Sequence, residues 1–298
     1  MVKCIDPQGD VVINTSAEGF SLLVSSKILS VASPVFAAMF SPHFREGNSL
    51  ATASAPITID LLEDAPAALE NICNVLHYKH DLVTVQMRFH DLLEIAVVAD
   101  KYDLAKSLGP WRDKWLNRVI LPDCGSCDGG GWQREIFMMY VFGQASEFKS
   151  YTSMAITWTE PCEEEGAMFE PLPDSIMAAA HAVRLAAIDK ILAVAETARL
   201  QYYSPGRKCR RSQGCDATLL GSIIHCYSKI GIFPLPQRPY EIFCVGGLSQ
   251  SLERIRGSLT GHEECVTSWF NEMISEVTKV MEPDGVPGLE LEAFMKSK

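Results

Sequence analysis

Ten cysteines and seven histidines are the side chains with the most chemistry on offer in this 298-residue chain, and their spacing decides which deserve pursuit. Cys124-x2-Cys127 is half of a zinc knuckle. It needs a second half, because a structural zinc ion takes four tetrahedral ligands. Another set is Cys209-x5-Cys215 with His262-x2-Cys265, whose two halves lie far apart in the chain and must meet in space to hold a metal. The competing outcome is a set of free thiols in loops and on helix faces. Cys73, Cys226 and Cys244 read as small core residues. His77 and His90 flank a loop at 79–88, where a histidine caps helix carbonyls or sits in water more often than it ligates.

Catalysis has no comparable signature. The phosphate-cradling G-x-x-x-x-G-K-[ST], the dinucleotide G-x-G-x-x-G, G-x-S-x-G and H-E-x-x-H are all missing from the sequence. Pairs such as Glu63-Asp64 read as helix starts. The expectation is a protein that is not an enzyme and has no cofactor, with zinc at one of the cysteine sets as the alternative.

The elements that would carry these residues follow from hydrophobic periodicity. Residues 10–14 form an apolar run and Phe20, Leu22 and Val24 alternate with Ser21 and Leu23, so each stretch is expected to be a short strand. Ser25 is placed to cap a first helix. Ser33-Pro34 restarts the chain as a second, with Phe36, Met39 and Phe40 on one buried stripe. Residues 51–55 read as a loop and 56–61 as a third strand, followed by a helix that Asp64 and Pro66 start and that ends near Tyr78. Phe89, Leu92, Leu93, Ala96 and Val97 give one strong helical face. Leu104, Leu108, Trp111 and Trp115 continue it, with Gly109-Pro110 as a kink or restart.

Residues 121–131, with three consecutive glycines, read as a linker. Beyond it lies a helical domain at 132–282, with a helix ended by Gly143, an acidic loop at 160–166 and a long spine through Ile176, Ala180, Val183, Ala187, Ile191 and Val194. A basic loop at 205–214 precedes a helix ended by Gly231, and two more helices follow. Residues 283–298 read as a loose tail apart from a short piece at 289–295.

Composition narrows the partners. Hydrophobic residues make up 47% and charged residues 21%, which is ordinary for globular domains. The net charge of −11 is spread over both halves, and Arg207, Lys208, Arg210 and Arg211 form the one basic cluster. Its ordinary reading is a solvated loop. No nucleic-acid partner is expected without a basic face or a recognisable DNA-binding module. No apolar run is long enough to span a bilayer and no leader pattern opens the chain, so an intracellular protein, in cytoplasm or nucleus, is expected, with reduced cysteines.

Val24-Ser25-Ser26-Lys27-Ile28-Leu29, then Ser33-Pro34-Val35-Phe36-Ala37-Ala38-Met39-Phe40, then Phe44-Arg45-Glu46 occur in an order that resembles the heart of a BTB/POZ domain, as in a large set of fungal BTB proteins. The resemblance continues through Ile57-Thr58-Ile59-Asp60-Leu61, Leu76-His77-Tyr78 and Ala99-Asp100-Lys101-Tyr102-Asp103-Leu104. It implies an α+β BTB/POZ domain at 1–120, a small sheet with a helical cluster in which the strands at 10–14 and 20–24 pair as a hairpin, followed by a mainly α-helical C-terminal domain. The function it implies is protein–protein interaction, in its specific form a substrate adaptor of a cullin-RING ubiquitin ligase. Met39, Phe40, His43, Phe44, Arg45 and Glu46 would then face a cullin scaffold while the second domain receives an unknown client. An aromatic entering a pocket beside a carboxylate makes a sound hot spot. The alternative is that Phe44 merely covers the core. BTB domains also self-associate, which implies Val11, Ile13, Leu23 and Ile28 as apolar positions in a homo-oligomer, although a long swapped N-terminal strand is not expected. The rival readings are a self-associating scaffold or transcription-linked regulator without a ligase, and a zinc-binding protein or small enzyme built on the C-terminal domain.

Overall fold

Short alternating stretches become strands because their apolar side chains fall on one face of a small sheet. The structure, a computed structural model, describes residues 2–16, 19–119, 131–159, 171–203, 206, 208–212, 214–282 and 286–295. It is mixed α/β, mostly helical with one four-stranded sheet among the described residues, and it divides into two compact units, 1–144 and 145–298.

In the first unit the sheet order is β1 (Val2–Cys4), β3 (Ser21–Val24), β2 (Val11–Asn14), β4 (Ile57–Asp60). The expected hairpin is present, with Val12 opposite Leu23, and β4 joins β2 in parallel with Ile13 opposite Ile59. Strand β1 was not anticipated. It pairs parallel to β3 and is tied by the Lys3–Glu70 ion pair. Val11 and Ile13 are fully buried on the inner face, so they cannot line a self-association surface; Leu23 and Ile28 are half-buried.

Helices α1 (Ser26–Ala32) and α2 (Pro34–Met39) follow. Ser33 caps α2 as expected, accepting from the Phe36 amide at 3.0 Å. At the start of α1 the Ser25 side chain makes no cap bond. Asp10 does that work instead, accepting from Ser26 N and Ser26 Oγ, each at 2.7 Å. The 51–55 loop shortens, because α3 (Arg45–Thr52) reaches into it. Phe36 is buried, but Met39 and Phe40 are only half-buried, so the expected stripe is narrower.

Asp64 does not cap α4 (Pro66–Leu76), whose N-cap is Ala65. It is 4% exposed and accepts hydrogen bonds from Tyr102 Oη at 2.5 Å and Lys101 Nζ at 2.8 Å, both at the end of α5 (Phe89–Lys101). Ser33 Oγ donates to the Tyr102 carbonyl at 2.5 Å and the Tyr102 ring stacks on Phe36 at 4.4 Å. Stretches that carry the family resemblance thus meet in one buried knot. His77 caps α4: Nδ1 sits 2.9 Å from the Cys73 carbonyl, and Nε2 accepts from Ser25 N at 3.0 Å. The Cys73 carbonyl needs a donor and the Ser25 amide an acceptor, which fixes a neutral ring with its proton on Nδ1.

Helix α6 (Gly109–Leu116) restarts at Gly109-Pro110 as expected, with Trp111 and Trp115 buried. The expected linker at 121–131 lies almost wholly outside the described residues, and the expected acidic loop at 160–166 wholly so. Helix α7 (Gly131–Phe142), assigned by periodicity to the second domain, packs on α5 in the first unit, and Arg112 Nη1 donates to the Phe142 carbonyl at 2.7 Å.

The second unit has α9 (Asp174–Leu200) as its spine, packed by α8 (Ala145–Trp158), α10 (Cys215–Lys229), α11 (Val245–Arg254) and α12 (Glu263–Met281). Tyr227 Oη and Trp269 Nε1 donate to α9 carbonyls at Ala195 and Ala198, at 3.0 and 2.9 Å. Gly143 and Gly231 end α7 and α10 at φ of 67° and 79°, the left-handed conformation that makes glycine the preferred stop. Helix α8 was not anticipated, and neither was the docking of 286–291. Val286, Leu289 and Leu291 are buried and Leu289 N donates to Thr152 Oγ1 at 2.9 Å, so this part of the tail is fixed.

Candidate functional site

The strongest convergence of reactive side chains in the described residues is in the second unit. Residues 208–212 lead towards α10, with Cys209 buried at 2% exposure between the exposed Lys208 and Arg210. Cys215 is the first residue of α10 and 6% exposed. His262 is the N-cap of α12, and Cys265 lies in that helix's first turn, three residues on and therefore on the same side. One ligand atom from each of the four lies within 4.8 Å of every other. Cys209 Sγ is 3.2 Å from His262 Nδ1.

Surrounding hydrogen bonds hold these positions. The Asp216 carboxylate accepts from Lys208 N at 2.7 Å and Cys209 N at 2.9 Å, which fastens the incoming segment to the start of α10. His262 N donates to Cys215 Sγ at 3.4 Å, joining α12 to α10. Arg211 and Glu264 pair at 2.8 Å on the exposed rim. Lys208, Arg210 and Arg211 are thus exposed, while Cys209 between them is buried.

The electrostatics of the cluster divide its thiols. Burial pushes the Cys209 thiol up, but the Ser212 and Arg211 amides, with hydrogen bonds from His262 and Cys215, outweigh it and bring the value down to about 6. Burial pushes Cys265 up to about 11, reinforced by hydrogen bonding with Cys209 and Cys215 and by their negative charge. Of these two thiols Cys209 gives up its proton the more readily. Three sulfurs and an imidazole in this arrangement are chemically a ligand set for a soft divalent metal.

No protein-family model, curated protein or solved structure matches this chain.

The remaining residues singled out in the sequence fall elsewhere. Cys124 and Cys127 lie outside the described residues. Cys73 and Cys226 are buried, and burial raises both thiols, Cys73 to about 12 with Glu70 adding to it. Cys244 is a half-buried helix cap, its sulfur accepting from Gly247 N at 3.2 Å. In the first unit, Phe44 is the N-cap residue of α3 and is 51% exposed, so it is at most partly taken up in covering the core. His43 and Arg45 are exposed, whereas Met39, Phe40 and Glu46 are half-buried. The Phe44 amide donates to Ser41 O at 3.2 Å, and the Phe44 carbonyl accepts from Asn48 N and Asn48 Nδ2, each at 3.1 Å. Gly47 packs so closely that an added Cβ would run into the Ser41 carbonyl, so the turn has no room for a larger residue there.

Sequence reading missed Asp216, which no motif marks. Its place one residue after Cys215 was the only available signal. Among the described residues no helix is long and apolar enough to cross a membrane.

Proposed function

We propose that the chain is a non-enzymatic protein-interaction protein whose first unit is of BTB/POZ type and offers the Phe44 turn to a cullin scaffold, the second unit receiving the client. The observation that carries this reading is the half-exposed Phe44 on a braced helix start. Hydrogen bonds to the Phe44 backbone hold the residue in place, so a pocket that closes over the ring has only side-chain freedom to restrict. The buried knot of Ser33, Phe36, Asp64, Lys101 and Tyr102 supports it indirectly, since it unites stretches that resemble the family.

The test is binding of the purified chain to the N-terminal region of the host's BTB-binding cullin, beside Phe44→Ala and Glu46→Ala. Micromolar or tighter binding is expected, and Phe44→Ala should weaken it by about 2 kcal/mol or more, the scale of a hot spot. A folded chain that does not bind overturns the adaptor role. Self-association, read from sedimentation of the same sample, is the rival outcome, and with Val11 and Ile13 buried it would have to use a different surface from the one expected.

A further inference from the structure

The 208–212 stretch has no regular structure and carries exposed bases, yet its cysteine is 2% exposed. Burial puts its sulfur against a specific set of neighbours. Two neighbours are sulfurs and the third is an imidazole, and all four donors gather around one point.

We propose that Cys209, Cys215, His262 and Cys265 bind one zinc ion in a closed tetrahedral site that locks the segment around Cys209 and the start of α12 onto α10. Thiolate and imidazole donors select zinc over the hard cations, which prefer oxygen. A tetrahedron with zinc–sulfur bonds of about 2.3 Å sets its ligand atoms about 3.8 Å apart. The present arrangement, with Cys209 Sγ and His262 Nδ1 at 3.2 Å and every pair within 4.8 Å, reaches that with small adjustments to the side chains. All four positions are filled by protein, so no coordination site is left for water or substrate, which marks a structural rather than a catalytic metal.

The supporting shell is of the kind that metal sites need. Asp216 orients the Cys209 backbone, and the His262 amide donates to the Cys215 sulfur. A disulfide suits the cluster less well, because it would use two of the three thiols and leave the third thiol and the histidine without a role in it. A thiol–imidazole pair for nucleophilic catalysis needs access, and Cys209 has almost none. Zinc binding here is independent of the cullin-adaptor reading, because it concerns the second unit alone.

The test uses the full chain, purified without chelator and in its reduced form. Elemental analysis is expected to give about one zinc per chain. After removal of that metal, titration with cobalt(II) should produce the visible absorption of a tetrahedral ion with thiolate charge transfer, saturating at about one equivalent. Cys265→Ser and His262→Asn should lose that spectrum, whereas Cys226→Ser should keep it. Because ligand variants could unfold the unit, Asp216→Asn is included as a positioning variant: it should retain the spectrum and bind roughly 10- to 100-fold more weakly. A folded, reduced wild-type chain that takes up neither zinc nor cobalt at micromolar concentration overturns the proposal. So does metal uptake that Cys265→Ser leaves unchanged, since the ion would then reside elsewhere, for instance at Cys124-x2-Cys127.

Discussion

The Phe44 turn and the Cys3His cluster are built in opposite ways. The turn is a contiguous stretch, held by hydrogen bonds between residues three or four apart, and it leaves its aromatic in water. The cluster gathers side chains from two regions that α10 and α11 separate in the chain, and it takes Cys209 and Cys215 out of water. A contiguous turn can lose its exposed side chain without cost to the fold. A cluster of distant donors can lose none, because each donor is also a tie between elements.

The largest expected effect follows from removing the inferred zinc. Chelation should abolish amide protection in α10 and at the start of α12, while α5 in the first unit keeps its own, as read by hydrogen exchange on the intact chain. Equal loss in both units would end the contrast. Next is the first unit's counterpart of the cluster, the Asp64 knot. Asp64→Ala strands the Tyr102 hydroxyl and should destabilise that unit by roughly 2–3 kcal/mol in urea denaturation, less than a fully buried pair because the Lys101 side chain is 40% exposed.

Gly288→Ala comes third. Its Cβ would collide with the Lys149 carbonyl, a backbone atom that cannot step aside, so roughly 1–3 kcal/mol should be lost as 286–291 lift from α8. A smaller effect concerns pH. Burial holds His77 below its ordinary 6.5, with Lys79 acting in the same sense and the Cys73 carbonyl and Asp6 opposing. Between its folded value and 6.5 the unfolded chain binds the extra proton, so its contribution is complete above about 6.5 and declines as the pH falls through that window. Urea midpoints of the first unit at about pH 7.5 and about pH 5.5 should show the decline, and His77→Gln should reduce it. The smallest effect is on the turn itself: Phe44→Ala should change stability by no more than about 0.5 kcal/mol, even if partner binding collapses. A large loss of stability there would return Phe44 to a structural role.

Helices with a continuous apolar face were legible from sequence, as were the stops at Gly143 and Gly231. The two strands and the restart at Ser33-Pro34 were legible for the same local reason, while the pairing of those strands came only from the family resemblance. What escaped was pairing with distant partners. Helix α8 hides its buried face because one of its three buried positions is Thr152, a polar residue whose hydroxyl donates within its own helix, with the Phe148 and Lys149 carbonyls 2.8 and 3.0 Å away, and accepts from Leu289 N. The docking of 286–291 was not legible because their apolar side chains have no periodicity, only a place on α8 to dock. Asp64 looked like a cap because its neighbours in sequence suggest one, whereas Tyr102 and Lys101 claimed it across space. The four metal-site candidates were visible as two half-sets, and only the packing of the second unit could bring them together.

The bond between Leu289 N and Thr152 Oγ1 joins residues 137 positions apart, and Ser153 Oγ reaches the Val286 carbonyl over a similar span. Such contacts cannot form while the intervening chain is still being synthesised. The first helix of the second unit therefore waits, with its docking partner missing, until residue 289 has left the ribosome, whereas the first unit already has the whole of α7 by residue 142. The order of folding is in this sense written into which residues close each unit, and the interval between the two closures is when the chain is most exposed to aggregation and to chaperones.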